Sequence, residues 1–361
     1  MECDVIVVGA GVSGLATADQ LVPDRRVVII EAGERVGGRL RSIDGLDLGA
    51  SWFWPGEHRV AALVDELNIP THAQHLDGDA LYDAPDGVAR LDGNPIDVPS
   101  SRFSNGADGL TEALRRRVSE RNGSDLLLDT HVHTVESTPA HDRPLVVTAT
   151  TAGVTRAISA DHVVLALPPA LAASTIGFRP PLPDEIARLA VRTPVWMGTT
   201  TKAVVRYSTA FWRDVGLSGS AVSHQGPLRE IHDLSGPGGR PAALFGFAPS
   251  TAQGRPVDER DVIAQLVRLF GPSAAEPLDF HLADWRREPL TTPTGTAEPT
   301  DYSTYGDPRY HRPTFGGRLH WSSTETSAVA PGHIEGALAA AERTAETIRT
   351  ASIPPHHQET R

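Results

Sequence analysis

The sequence predicts an α/β fold, a Rossmann-like dinucleotide-binding domain interrupted by a β-rich α+β region, and three observations carry it. A glycine-rich turn, Gly9-x-Gly11-x-x-Gly14, follows an apolar run at the very start of the chain. Strand and helix patterns alternate at both ends, the sign of a parallel sheet. The middle of the chain instead shows short alternating apolar/polar runs punctuated by Gly and Pro.

Val5 to Val8 form the short apolar run of a buried parallel strand, and Leu15 to Leu21 continue as a helix. Gly9 permits the tight turn, Gly11 lets the backbone approach a pyrophosphate, and Gly14 lets helix and strand pack closely. The residues between them, Val12 and Ser13, open the helix, whose N-terminus directs free N–H groups and partial positive charge at phosphates. Val27 to Ile30 form the second strand, and Glu31 ends it at the spacing where a carboxylate accepts hydrogen bonds from ribose hydroxyls. Strand before, helix after and acid at the right distance separate this motif from an ordinary glycine turn.

Ser42 to Leu48 reads as a short strand and Gly49-Ala-Ser-Trp52 as a loop of small residues. Apolar residues at 60, 63, 64 and 67 make Val60 to Leu67 a helix. Residues 76–104 are irregular, rich in Asp, Gly and Pro, with strand fragments. Gly109 to Arg121 is a helix, and Leu126 to Val135 and Leu145 to Thr151 are strands. His162 to Leu167 is a buried strand stopped by Pro168-Pro169. Thr199 to Tyr207 alternates as a strand carrying Lys202; Gly236-Pro-Gly-Gly239 reads as a turn before the strand Ala242 to Phe247. Val257 to Phe270 is a helix, 291–312 a long loop, Arg318 to Trp321 a last strand, and Gly332 begins a final helix to about Ala351. The implied organisation is a discontinuous nucleotide domain (1–75, 105–190, 305–361) holding a second domain (76–104, 191–304).

At 361 residues the chain can bury a large core. A net charge of −12 argues against nonspecific nucleic-acid binding, and the basic run Arg115-Arg-Arg117 reads as a solvated helix face. Cys3 is the only cysteine, so no disulfide forms within the chain, which suits a reducing, cytoplasmic setting. The first strand leaves no room for a signal peptide, no apolar run approaches a membrane span, and the tail 353–361 is polar and Pro-broken. His131 and His133 share one strand face but have no third ligand, so no metal is expected. Arg is abundant, yet Lys202 is the only lysine. A lysine that persists against such a bias is a candidate for chemistry, because ammonium and guanidinium are not interchangeable at a tuned site.

Ordered blocks then resemble the flavin-dependent amine oxidases (monoamine, polyamine and L-amino-acid oxidases). They are Val7 to Gly14; Glu31-Ala-Gly-Glu-Arg-Val-Gly-Gly-Arg39; Asp47-Leu-Gly-Ala-Ser-Trp52; Val163 to Pro169; Met197 to Ala203 with Phe211-Trp-Arg213; Asp284-Trp285; and His320 to Thr326 through Pro331-Gly-His-Ile-Glu-Gly336. The resemblance spans most of the chain and implies the amine-oxidase and glutathione-reductase-like FAD fold, with FAD rather than NAD. It implies that Arg35, Gly38 and Arg39 bring backbone and a guanidinium toward the diphosphate and flavin, with Glu31 and Ala32 also among the cofactor-binding residues. Gly49, Ala50, Ser51 and Trp52 would lie along the isoalloxazine, and Val132 at the adenine. Ser323, Thr324 and Glu325 would stand at the diphosphate and ribityl chain. Gly332, His333 and Ile334 would offer backbone N–H groups to the flavin, where a helix N-terminus favours the negative charge of the reduced ring. Lys202 matches the lysine that holds a water beside the flavin, and Trp285 the tryptophan packed near it.

The chain departs from the family in four places. The loop 286–295 has no cysteine, so FAD is expected to be non-covalent. The paired aromatic rings that flank a substrate nitrogen correspond to Gly295 and His333, unless Tyr302, Tyr305 or Trp54 takes their place. Ser323 stands where glycine is usual and is expected to crowd the pyrophosphate. Only about 50 residues join the Trp52 block to the helix at 109, where family members carry a longer helical lid. An open cavity follows, or one closed by a second subunit in a homodimer, suited to a bulky or carrier-tethered substrate. The expected function is an FAD oxidase taking a hydride from the carbon next to an amine nitrogen, with O2 as acceptor, Lys202 assisting and a neutral His333 accepting a proton. The alternatives are an FAD desaturase or dehydrogenase acting on a C–C or C–O bond, an oxidase of reduced nicotinamides, and a non-catalytic flavin-binding protein.

Overall fold

The protein is described from a computed structural model covering residues 1–121, 124–138, 142–249, 256–299 and 301–351. The polar tail falls outside the described residues.

The apolar run at the start forms the strand Glu2–Val8 at the centre of an eight-stranded sheet. It pairs in parallel with Val27–Ile30 on one side (Val5 opposite Val27, Val8 opposite Ile30) and with Val154–Leu165 on the other. Ser124–Leu127 extends the parallel set beyond Val27–Ile30, and Leu319–Trp321 pairs in parallel with the last residues of Val154–Leu165. The strand Val154–Leu165 is far longer than its apolar end at His162–Leu167 suggests. Its first half is exposed and runs antiparallel to Leu145–Thr151, which pairs with Thr130–Ser137, so one strand serves both the parallel sheet and a meander.

Alternation divides the core. Val5 and Val7 face the helices Val12–Leu21, Asp108–Glu120 and Ile334–Thr350, while Ile6 and Val8 face the meander and the helix Asp184–Arg192. Arg117 is not a solvated residue: it is mostly buried and ion-paired to Asp19 and Glu66, tying its helix to the first one.

The middle of the chain builds a second, seven-stranded sheet in the order Asp279–Asp284, Thr200–Tyr207, Ala242–Pro249, Glu230–Asp233, Leu217–Ser223, Asp79–Ala84, Gly87–Arg90. Ala203, Val205 and Tyr207 point to the helix Glu259–Phe270. Val204 points the other way, against Leu46, Leu48 and Trp285, and by the same alternation so does Lys202. That second face looks onto the nucleotide domain.

Three expectations change. Ser42 to Leu48 is a tight hairpin of two-residue strands, because Asp44 and Gly45 both take positive φ at its tip. Leu126 to Val135 is two strands broken at Asp129, which also has positive φ; the first half joins the parallel sheet and the second the meander. The segment 76–104, read as irregular, supplies two strands to the second sheet and one, Ser101–Phe103, to a small sheet with Trp52–Phe53 and Thr71–Ala73.

Candidate cofactor and active site

The C-terminal ends of Glu2–Val8 and Val27–Ile30 open into a cavity of about 1280 Å³ that runs between the two sheets to the strand carrying Lys202. Its size exceeds the 300–1,000 Å³ usual for a single small ligand.

At one end the glycine turn forms a bare cradle. Gly9 (φ +101°) has its backbone against Ala166, and a Cβ on Gly14 would overlap the Gly9 carbonyl oxygen, so both serve close packing. A Cβ on Gly11 would meet nothing nearer than Gly37 O at 4.0 Å and would project into the cavity. Gly11 is the N-cap of Val12–Leu21 with no side-chain cap bond, and the first intrahelical N–H to be satisfied is that of Leu15. Of the N–H groups on the wall at this helix N-terminus, that of Val12 is turned to Gly37 O by the parallel bridge of Gly11 with Gly37, and that of Ser13 has no helical partner. Glu31 sits beside them with each carboxylate oxygen fixed by one backbone N–H, Oε2 by Ala10 and Oε1 by Gly33, both at 2.8 Å. Each oxygen keeps a lone pair for a hydroxyl. Ala32, Gly38 and Val132 complete this end. Ser323 Oγ is buried on the same wall and makes no hydrogen bond. A bare glycine cradle, a free N–H group, a fixed acid and an unpaired hydroxyl fit a dinucleotide.

Both arginines line the cavity and are also held by acceptors of the protein itself. The Arg35 guanidinium donates to the carbonyls of Val36, Leu40 and Gly38, so it braces its own loop. Arg39 forms a two-pronged pair with Glu325 (2.6 and 3.2 Å). Glu325 is fully buried behind the wall; neither it nor Gly14 lines the cavity. Thr324 Oγ1 accepts the Gly332 N–H and donates to the His333 carbonyl, both at 2.8 Å, and the His333 N–H bonds to Ala330 O. The N–H groups free at the start of the last helix thus begin at Ile334, not at Gly332.

Lys202 is 1 % exposed. Its ammonium donates to Gly49 O at 3.0 Å and to Ser51 Oγ, and lies 4.1 Å from the centre of the Phe245 ring. Burial drives its pKa down from 10.5 to about 7; nearby Asp47 acts in the opposite sense and Arg102 in the same sense. A Cβ on Gly49 would overlap Arg39 O, so glycine is what lets the Gly49–Trp52 strip pack on the 39–41 backbone. Trp285 closes the strip, donating its indole N–H to Leu48 O at 3.2 Å.

Opposite, His333 Nδ1 lies 2.7 Å from Glu57 Oε1, and the imidazole stacks on Trp54 with ring centres 4.9 Å apart. Trp54 therefore takes the aromatic position beside His333. Tyr302 and Tyr305 pack on Trp196 and, like Gly295, do not reach the cavity; Trp196 itself does. Glu57 and Trp196 carry no sequence motif. Among the described residues no cluster of three or more His, Cys, Asp or Glu could hold a metal, and His133 bonds Thr150 instead.

The family described as flavin containing amine oxidoreductase matches residues 96–349, and an NAD(P)-binding Rossmann-like domain matches 7–67. Putrescine oxidase of Kocuria rosea is 28% identical over 453 aligned positions, covering 94% of this chain and 93% of that protein. The structure of a putrescine oxidase bound to putrescine superposes with a TM-score of 0.81 at 22% identity, covering 97% of this chain and 99% of that one. Cyclohexylamine oxidase from Brevibacterium oxydans gives 0.80 at 22% identity over 96% and 99%.

The chain belongs to the flavin-containing amine oxidoreductases. It is an FAD-dependent enzyme of amine oxidation, and the dinucleotide the cradle fits is FAD. The match to the Kocuria enzyme runs over 453 positions against 361 residues here, so a large part of that relative has no counterpart in this chain.

Proposed function

We propose that the protein oxidises a bulky, mainly apolar primary or secondary amine, with FAD held without a covalent link. The observation that carries the reading is the chain's only lysine, buried in the wall of the cavity that Trp54, Trp196 and His333 also line. The shortened chain supports a bulky substrate. Non-covalent FAD is supported by cysteine count alone: Cys3 lies in the central strand, its thiol pushed up to about 12 by burial.

When bound, FAD supplies the two-electron acceptor for the hydride leaving the carbon next to nitrogen, and O2 takes the electrons on to give hydrogen peroxide. The chain's own groups do the rest. Trp54 and Trp196 flank the substrate space and displace water from it. His333, its Nδ1–H donated to Glu57, presents Nε2 as an acceptor for the proton of an arriving ammonium ion, which leaves the amine neutral and its nitrogen lone pair available. The free N–H groups from Ile334 onward favour negative charge at the cofactor. Lys202 holds or releases a proton next to Gly49 and Ser51. The imine leaves the cavity and is hydrolysed by water.

Anaerobic mixing with a panel of arylalkylamines, diamines, amino acids and alcohols, followed by the loss of yellow colour, tests this. Bleaching by the bulky amines is expected; bleaching by alcohols alone, or by small diamines alone, overturns it. Acid precipitation that leaves the yellow colour in the supernatant is the expected result for a non-covalent cofactor.

A further inference from the structure

The chain contains three sulfur-bearing residues, Met1, Cys3 and Met197. Cys3 is fully buried in the central strand, and Met1 stands at the surface, 50 % exposed. Of the three, only Met197 lines the cavity.

Residues 195–198 form a tight turn, closed by the Gly198 N–H on Val195 O at 3.1 Å, with Met197 at its second central position. Met197 takes φ +57°, the left-handed region in which a turn ordinarily uses glycine or asparagine. Outliers of this kind gather at functional sites and persist where the surroundings hold them. Here they are held on both sides. Trp196 donates its N–H to Glu325 Oε1 at 3.3 Å, and its carbonyl accepts from Arg39 at 3.4 Å. Gly198 is so enclosed that a Cβ would stand 2.8 Å from Thr292 Oγ1. Beyond it, the Thr200 N–H donates to Met197 O at 3.0 Å, and the Thr200 hydroxyl donates to the thioether, Oγ1 to Sδ 3.8 Å. Thr200 precedes Lys202 by two residues in one strand, so both side chains share the face turned to the nucleotide domain. The thioether is therefore fixed on the wall that carries Lys202, next to Trp196, whose ring centre lies 6.3 Å from that of His333.

A thioether is a soft nucleophile that peroxide oxidises by two electrons. We propose that Met197 is a modification site, converted to the sulfoxide by hydrogen peroxide formed in the cavity, before that peroxide escapes to solvent. A sulfur lone pair attacks one peroxide oxygen and the O–O bond breaks. The leaving hydroxide takes the proton from the sulfur-bound hydroxyl and departs as water. Sulfur loses two electrons and peroxide gains two, so no further reactant is needed. The product puts a polar S=O group on the cavity wall, beside a Thr200 hydroxyl that can donate to it. The proposal rests on the oxidase reading, which supplies its oxidant.

The test is peptide mass mapping of the full-length, FAD-loaded protein after prolonged turnover in air with the amine that bleaches it best. Catalase in the solution destroys escaped peroxide, and a parallel reaction without catalase counts the peroxide formed with a peroxidase dye. Met1, more exposed than Met197, reports oxidation from solution. The expected result is one added oxygen on the Met197 peptide, in at least about ten times the yield found on the Met1 peptide. Peroxide added to the FAD-loaded protein without amine or catalase should oxidise Met1 first. Peroxide formed in turnover with Met197 unmodified, or modified no faster than Met1, overturns the proposal and leaves the oxidase reading standing. Added peroxide that oxidises Met197 as selectively as turnover does overturns it equally. Bleaching by the amine in air with no peroxide formed overturns both.

Discussion

His333 and Glu57 stand 276 residues apart in sequence and are joined by a 2.7 Å contact between Nδ1 and Oε1. The second Glu57 oxygen accepts the Trp54 N–H at 3.0 Å, so one buried carboxylate fixes both the imidazole and the indole-bearing loop it stacks on. Glu57→Gln leaves an oxygen to accept the Nδ1–H but replaces the charge-assisted hydrogen bond with a neutral one. Glu57→Ala leaves the ring untethered. With the amine that bleaches the enzyme best, kcat/KM falls about 10-fold in the first and about 100-fold in the second, within the range of general-base effects. FAD content stays unchanged. A His333→Asn enzyme with undiminished kcat/KM would remove the base from the mechanism.

The glycines of the turn separate binding from folding. Gly11→Ala places a methyl group in the cradle with no protein atom nearer than 4.0 Å, so the protein folds at near-normal stability and loses FAD affinity. Gly14→Ala drives a methyl group into the Gly9 carbonyl and costs about 1–3 kcal/mol or more of stability, because backbone rather than a mobile side chain must yield. FAD titration by fluorescence quenching and thermal melting of the apoproteins distinguish the two. Equal melting temperatures would show that the helix can shift away from the strand.

Arg39 and Glu325 behave as a structural pair. Glu325 is fully buried, and Arg39 is the guanidinium bonded to it. Arg39→Met strands a carboxylate in the interior and destabilises the fold by about 3–5 kcal/mol. Glu325→Gln in the same chain recovers most of that loss, since a neutral amide there needs no counter-charge. Urea unfolding of the two single variants and the double variant measures the coupling; additive losses would mean that the pair contributes nothing jointly.

The cofactor end of the cavity was legible because backbone constraints write themselves into sequence. Gly9, Gly11 and Gly14 are where side chains cannot go, and Glu31 is held at a fixed distance by one helix and one strand. The substrate end was not, because it is assembled from residues that no local pattern connects. Glu57 is the N-cap of a helix yet makes no capping bond, so it looks like an ordinary surface acid. Trp196 lies between a helix and a strand and gains its place only by packing under Gly332, where a Cβ would stand 2.6 Å from the indole. Arg35 has a plain motif, and three carbonyls of its own loop fix its guanidinium at the cavity wall. The strand break at Asp129 went unread because a non-glycine residue with positive φ leaves little trace in composition.

Lys202 makes stability itself depend on pH. In the unfolded chain its amine titrates at its ordinary 10.5, and in the folded protein at about 7. Below pH 7 both states carry the proton and the folded state bears the full penalty of a buried charge. Between 7 and 10.5 the unfolded chain binds more protons than the folded one, so this residue's contribution to stability rises with pH, by about 1.4 kcal/mol per unit. Above 10.5 both states are neutral and the contribution is level. Lys202→Met puts an uncharged side chain of similar length in the same place and lacks this dependence. FAD-free Lys202→Met should therefore melt well above the natural protein at pH 6, and its advantage should shrink steadily from pH 7 to pH 10 as the lysine sheds its proton. Taking the difference between the two proteins cancels the titrating groups that do not interact with Lys202. A melting difference that stays constant across that window would place the proton on Lys202 throughout, and the lysine would then be a fixed cation beside the cofactor.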